Sequence, residues 1–370
     1  MFDFNFYNGK KVLVTGHTGF KGTWLSMMLL KAGADVTGYA LEAPTKPSLY
    51  DITGIEKNIR SETGDIRDYD HLKRLFDEIK PDIVFHLAAQ PIVRESYKKP
   101  VETYEINVMG TVNILECIRT GSSVRSFLNV TTDKVYKNKE WEWGYRECDE
   151  LDGFDPYSNS KSCSELVTHS YRSSFFSGDS STGDLSDKSI AISTARAGNV
   201  IGGGDFAKDR IIPDCVRAAI DGQDIIVRNP HSIRPYQHVL DPLYAYMMIA
   251  ASQYDKPSLS GEYNVGPDSS GCVSTGQLVD KFISLWGDGI GWIDRSDGGP
   301  HEANFLKLDC SKLKNKFGWS PVWNIEQALE ATVGWTKCWL NKEQDISLYM
   351  NEQIESFMEL ATHTTEIKKI

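Results

Sequence analysis

Tyr157 and Lys161, in Tyr157-Ser158-Asn159-Ser160-Lys161, place a phenol and an ammonium four residues apart, on one face of any helix they share. A lysine so placed can bring the phenol down from roughly 10 by stabilising its phenolate. The phenolate can then take a proton from a hydroxyl while a hydride leaves the same carbon. The spacing alone is common, and an exposed helix pair is the plain alternative. A second constellation is Thr131-Thr132-Asp133-Lys134-Val135-Tyr136, a hydroxyl and two opposite charges directly after an apolar run. A polar loop cap would account for the threonines, but less well for adjacent Asp133 and Lys134.

A third group of residues suits a phosphate rather than a proton. Gly16, His17, Thr18, Gly19, Phe20, Lys21 and Gly22 form G-x-x-G-x-x-G, one residue longer than the commonest dinucleotide-binding turn. Such glycines let backbone N–H groups approach a pyrophosphate at a helix N-terminus. A carboxylate at the end of the second strand would complete an NAD site, but Val36-Thr37-Gly38-Tyr39-Ala40-Leu41 ends in apolar residues, with Glu42 one step beyond. No arginine stands nearby for a 2′-phosphate, so NAD over NADP does not follow from this motif.

Positioning these groups requires strands that alternate with helices. Periodicity predicts strands at Lys11–Thr15, Asp35–Tyr39, Asp82–Leu87, Ser126–Thr131 and Ser189–Ala195, and helices at Gly19–Lys31, Tyr69–Ile79, Val101–Ile118 and Tyr157–Phe175. That order implies an α/β fold, a Rossmann-type doubly wound parallel sheet. Ser177–Lys188, rich in Ser, Gly and Asp, reads as an exposed loop. Beyond Gly198 the rhythm loosens into a smaller mixed α/β lobe, with helices near Pro213–Ile220, at Thr275–Trp286 and at Ile325–Leu340, and short strands near Ile225 and Tyr263. The expected division is a dinucleotide-binding domain over residues 1–197 with a returning segment near 236–262, and a substrate lobe over 198–235 and 263–370.

The 370 residues carry a net charge of −11, which argues against nucleic acid or an anionic membrane as a partner. Met1 to Asn8 has no basic stretch leading an apolar core, and Trp24–Leu30 is too short to span a bilayer, so a cytoplasmic location is expected. The seven cysteines show no C-x-x-C pair and no zinc spacing with histidine; buried thiols and no metal site are expected.

Together, His17–Gly22, His86-Leu87-Ala88-Ala89-Gln90, Thr132-Asp133-Lys134 and Tyr157–Lys161 make the chain resemble the extended short-chain dehydrogenase/reductases, from Lys11 to about Trp335. Within them it resembles the nucleotide-sugar 4,6-dehydratases. Relatives acting on dTDP-glucose carry Asp-Glu after the threonine; Asp133-Lys134 is the variation of the CDP-sugar branch. The resemblance implies NAD as cofactor and CDP-glucose as substrate. It implies Tyr157 as base at the 4-hydroxyl, Lys161 as its electrostatic support, Thr132 on the 4-oxygen and Asp133 as acid to the leaving 6-hydroxyl. It leaves Lys134, if neutral, or another group as base at carbon 5. It further implies Asp65 and Ile66 near the adenine, Leu87, Ala88 and Ala89 along the cofactor, and Asn107 steadying the sheet. For the substrate it implies Gln90, Asn199, Arg228, Arg234, His301 and Glu302, with the segments Arg196–Val200 and Ile233–Asp241 around the diphosphate. A homodimer or homotetramer packed through Val101–Ile118 and Tyr157–Phe175 is implied, as is a place in deoxysugar synthesis for bacterial surface polysaccharide such as lipopolysaccharide O-antigen. The alternatives are a nucleotide-sugar 4-epimerase, a dehydratase of another nucleotide hexose, and a dinucleotide-sensing regulator without catalysis.

Overall fold

The computed structural model describes residues 2–176, 190–287, 289–295 and 305–367. The loop expected at Ser177–Lys188 lies outside them, as do His301 and Glu302.

Strand β1 (Lys11–Thr15) exposes only its first residue; Val12 and Val14 face one covered side of the sheet and Leu13 the other. Helix α1 (Phe20–Lys31) follows, then β2 (Asp35–Ala40), β3 (Arg60–Thr63), α2 (Tyr69–Ile79), β4 (Ile83–His86), α3 (Gly110–Thr120), β5 (Ser126–Thr132), α4 (Pro156–Tyr171) and β6 (Ala191–Ala197). The chain then leaves through α5 (Ile211–Ile220) and returns through α6 (Leu240–Asp255) to β7 (Glu262–Val265). All seven strands are parallel, in the order β7-β6-β5-β4-β1-β2-β3. The direction reverses between β1 and β4, the switch point at which open α/β sheets bind ligands.

Two apolar layers cover the sheet. Trp24, Leu25 and Met28 of α1 meet Leu243, Met247 and Ala250 of α6 on one face. Leu72 and Phe76 of α2 and Ile114, Leu115 and Ile118 of α3 meet Val84 and Phe127 on the other. A separate core, holding Ile225, Val227, Leu278, Phe282 and Leu329, belongs to the smaller lobe, built on α5, α7 (Thr275–Trp286) and α8 (Ile325–Asn341). Met350, Ile354 and Phe357 of the last helix, α9 (Ile346–Ile367), lie in the same layer as α1.

The structure refines three expectations. The helix expected over Val101–Ile118 is three pieces, Pro100–Tyr104, a π-turn at Glu105–Met109, and α3. The strand near Tyr263, read with the smaller lobe, is the outermost strand of the main sheet, paired with β6. The helix opening at Pro156 stops at Tyr171 and widens into a second π-turn over Arg172–Phe176. Cys117, Cys215, Cys310 and Cys338 are buried as small apolar groups, whereas Cys148 is exposed. Among the described residues no helix is long and apolar enough to cross a membrane, and no cluster of three or more His, Cys, Asp or Glu side chains could hold a metal.

Candidate active site

The turn after β1 is shaped by close approach. Gly16 has φ 77°, the left-handed region that favours glycine, and a Cβ there would stand 2.8 Å from the Ala88 backbone nitrogen. A Cβ on Gly22 would run into the Gly16 carbonyl oxygen. Gly19 precedes α1 without a side-chain cap, so the helix opens on backbone donors.

His17 does not face outward from this turn. Its buried ring lies over Gly38 of β2, its Nε2 is 2.7 Å from Ser61 Oγ of β3, and burial brings it down to about 4, which makes it neutral. The Thr18 hydroxyl donates to the Leu41 carbonyl at 2.9 Å. Both side chains therefore pin the turn to β2 and β3. Phe20 packs against Gly202. Lys21 lines the cleft beyond, where burial and the cations Arg210 and Lys161 bring it down to about 7.

The end of β4 is fixed by His86, whose Nδ1 is 2.8 Å from Thr15 Oγ1 and whose Nε2 is 3.3 Å from Thr111 Oγ1. Thr15 Oγ1 accepts from the backbone nitrogens of Leu87 and Ala88 at 3.2 Å, carrying the segment through Ala89 along the glycine turn. Asp65 is held by Arg67, which keeps its carboxyl below the usual range, and Ile66 packs on Gly110. Gln90 is tied up elsewhere: its amide donates to the Ile92 carbonyl and to Thr103, and it does not line the cleft. Asn107, at the π-turn, accepts from Gln90 N at 2.9 Å and donates to Gln90 O at 3.1 Å and Ser160 Oγ at 2.8 Å. It thereby joins the β4 edge to α4.

Helix α4 starts on Pro156, with Asp155 capping the Ser158 nitrogen, and this puts Tyr157 in its first turn. Burial pushes the phenol up to about 12, and the neighbouring Thr132 and Arg210 pull it back. The expected agent, Lys161, instead donates to the Val130 carbonyl at 3.1 Å and is brought down to about 8 by burial, against the opposing charge of Glu165.

Thr132 donates to Asp133 Oδ1 at 3.0 Å. Lys134 Nζ reaches the same oxygen at 3.3 Å and Asn199 Oδ1 at 3.4 Å. Asp133 is fully buried, and its second oxygen has no partner.

Thr132, Lys134 and Tyr157 open into a cavity of about 340 Å³ whose walls run on to Asn199, Arg228 and Arg234 in the smaller lobe, whereas Asp133 is not in its wall and meets it only through Thr132 and Lys134. Arg196 is not among them. It is buried against Glu165 at 2.9 Å and the Tyr136 hydroxyl at 2.9 Å, a structural ion pair behind β5. Arg210, held by Asp205 at 2.9 Å, lines the cleft near Tyr157, and no motif signalled it; Tyr236, inside the expected segment Ile233–Asp241, lines the cleft as well.

The family model described as GDP-mannose 4,6 dehydratase matches residues 13–332. The chain is 47% identical to CDP-glucose 4,6-dehydratase of Salmonella typhimurium over 363 residues, 98% of this chain and all of that one. It is 26% identical to dTDP-glucose 4,6-dehydratase of Xanthomonas campestris over 347 residues, covering 87% of this chain and 92% of that one. Among solved structures, dTDP-glucose 4,6-dehydratase of Bacillus anthracis in complex with NAD superposes with a TM-score of 0.72 at 22% identity, covering 90% of this chain and 98% of that one. Its seven-stranded parallel sheet, its Tyr157 and Lys161 on one helix and these matches over almost its whole length show that the chain belongs to the nucleotide-sugar dehydratase family described as GDP-mannose 4,6 dehydratase.

Proposed function

We propose that the protein converts CDP-glucose to CDP-4-dehydro-6-deoxyglucose, with NAD as a cofactor regenerated in each turnover. The observation that carries this reading is that Tyr157, Thr132 and Lys134 share the wall of one cleft, with the buried Asp133 directly behind Thr132 and Lys134 and bonded to both. A 4-epimerase needs no acid to expel a hydroxyl, and a sensor needs none of the four. The nucleotide is assigned from the 47% identical relative.

The glycine turn fits a dinucleotide, because Gly16 and Gly22 leave a cradle that a Cβ would fill. Gly16 to Gly22 would hold the pyrophosphate, with Asp65, Ile66 and Leu87 to Ala89 beside it. NAD held there would supply the acceptor for the carbon-4 hydride and the source of the hydride for carbon 6.

Tyr157 takes the 4-hydroxyl proton, and Thr132 orients that oxygen. Lys161, anchored on Val130, adds positive charge beside the phenol and the cofactor. The 4-ketone acidifies the hydrogen on carbon 5. Because Asp133 Oδ1 and Lys134 Nζ lie 3.3 Å apart, one proton shift between them yields a neutral acid and a neutral amine. Lys134 then removes the carbon-5 proton, Asp133 protonates the 6-hydroxyl, and water leaves; when the hydride adds at carbon 6, the Lys134 ammonium returns its proton to carbon 5. Asn199 and Arg234 of the substrate lobe would hold the diphosphate against the dinucleotide-binding unit, whose returning segment runs on through β7 to Val265. Val101, Met109 and Leu166, large apolar side chains left exposed in the two expected contact segments, support a homodimer or homotetramer packed there.

The test is mass spectrometry of products after incubating protein and NAD separately with CDP-, dTDP-, UDP- and GDP-hexoses. Loss of one water from CDP-glucose alone is expected. An unchanged mass with inverted carbon 4 would make the protein an epimerase.

A further inference from the structure

The cleft has an order that its contacts fix. Thr132 and Tyr157 stand at the sheet, Lys134 reaches Asn199, the Asn199 carbonyl accepts from Gln237 N at 3.0 Å, and Tyr236 and Arg234, just before Gln237 in the chain, line the wall there. If the hexose lies at Tyr157 and the diphosphate at Asn199 and Arg234, the base falls at the far end, between α5 and the strand Ile225–Val227. Along that strand Ile225 and Val227 fill the lobe's core, so the pleat turns Ile226, 49% exposed, into the cleft. Pro213 of α5 lines the same end. These apolar surfaces suit the faces of a planar ring.

The polar edge of that ring needs its own partner. Asp214, in the first turn of α5, lines this end of the cleft, with one carboxylate oxygen paired to Arg217 and the other 3.6 Å from Arg228. Two arginines thus fix its orientation on a helix and oppose the burial that raises its carboxyl above the usual range, while a carboxylate has room for about four hydrogen bonds. Cytosine carries an amino group where uracil and thymine carry a carbonyl oxygen. A carboxylate accepts from the first and opposes the second.

We propose that Asp214 accepts a hydrogen bond from the exocyclic amino group of cytosine and thereby sets the choice of CDP-sugars over UDP- and dTDP-sugars. This assignment rests on the cleft being a CDP-glucose site.

Calorimetric titration of the NAD-loaded protein with CDP, UDP and the diphosphate of 2-pyrimidinone riboside tests it without a variant. The last ligand keeps the cytosine ring nitrogen and carbonyl but lacks the amino group. It should bind about tenfold to a hundredfold more weakly than CDP and close to UDP. Asp214→Asn should bring the CDP and UDP affinities within about threefold of one another, by weakening CDP rather than both. A pyrimidinone ligand that binds as tightly as CDP, or an Asp214→Asn protein that keeps the wild-type CDP preference or weakens CDP and UDP alike, would overturn the role. Turnover by the wild type separates the two readings. If it dehydrates another nucleotide hexose and not CDP-glucose, the functional assignment itself falls; if it dehydrates CDP-glucose while the amino group proves immaterial, only Asp214 is misassigned.

Discussion

Tyr157 illustrates how a motif and its environment divide the work. The motif names the phenol, but burial holds it up at about 12, and the groups that pull it back are Thr132 from β5 and Arg210 from the loop before α5. Thr132 was legible because it follows an apolar strand. Arg210 was not, since an isolated arginine in Asp209-Arg210-Ile211 has no spacing partner in sequence and acquires its role only when the smaller lobe closes over the cleft. Gln90 shows the reverse, a polar residue in a recognisable motif whose amide bonds are taken by Ile92 and Thr103. Replacing Tyr157 by Phe should lower kcat by about 10²- to 10⁴-fold, the usual worth of a positioned proton acceptor, with an unchanged urea midpoint. Lys21 offers a pH test. Its ammonium is brought down to about 7 by burial and by Arg210 and Lys161, against 10.5 in the unfolded chain. Below about 7 both states carry the charge and its burial cost is complete; between about 7 and 10.5 the unfolded state holds more protons, so the cost shrinks as pH rises. Without cofactor, Lys21→Met should therefore exceed the wild type in stability by a constant margin below that range and by a falling margin through it, read from urea unfolding at a series of pH values.

The same contrast holds for elements. Tyr69–Ile79 and Thr275–Trp286 were readable to the residue because each is apolar on one face and polar on the other. Leu240–Asp255 has buried residues all round, so it shows no period to read. Arg60–Thr63 is a polar edge strand, and composition gave no hint of it. The π-turn at Glu105–Met109 was equally hidden, because a wide turn leaves the apolar pattern of its helix almost intact. Its use is visible only in space: it carries Asn107 to the end of β4 and to Ser160 of α4, and so sets the cofactor edge and the Tyr157 helix in one frame. Asn107→Leu should strand the Gln90 amide and carbonyl, costing about 1–3 kcal/mol for each group left unpaired. Urea denaturation measures that loss, and a lowered kcat in the surviving folded fraction would show that the frame also aligns Tyr157.

For the molecule as a whole, the doubly wound architecture was legible from alternating strands and helices, and the excursion into a smaller lobe from the loosened rhythm after Gly198. Val101, Met109 and Leu166 stay exposed among the described residues. If subunits meet there, Val101→Glu with Leu166→Glu should reduce the mass measured by light scattering to that of one chain. The position of β7 has a consequence for synthesis. Its partner β6 is buried along all seven residues, yet the strand that closes this edge is not made until Glu262 to Val265. A nascent chain that has finished β6 must therefore carry it through more than sixty residues of smaller lobe and α6 as an open, sticky margin, the kind of edge that recruits a neighbouring chain. The late return of one four-residue strand makes this stretch of translation the point at which the protein is most exposed to aggregation and most dependent on chaperone cover.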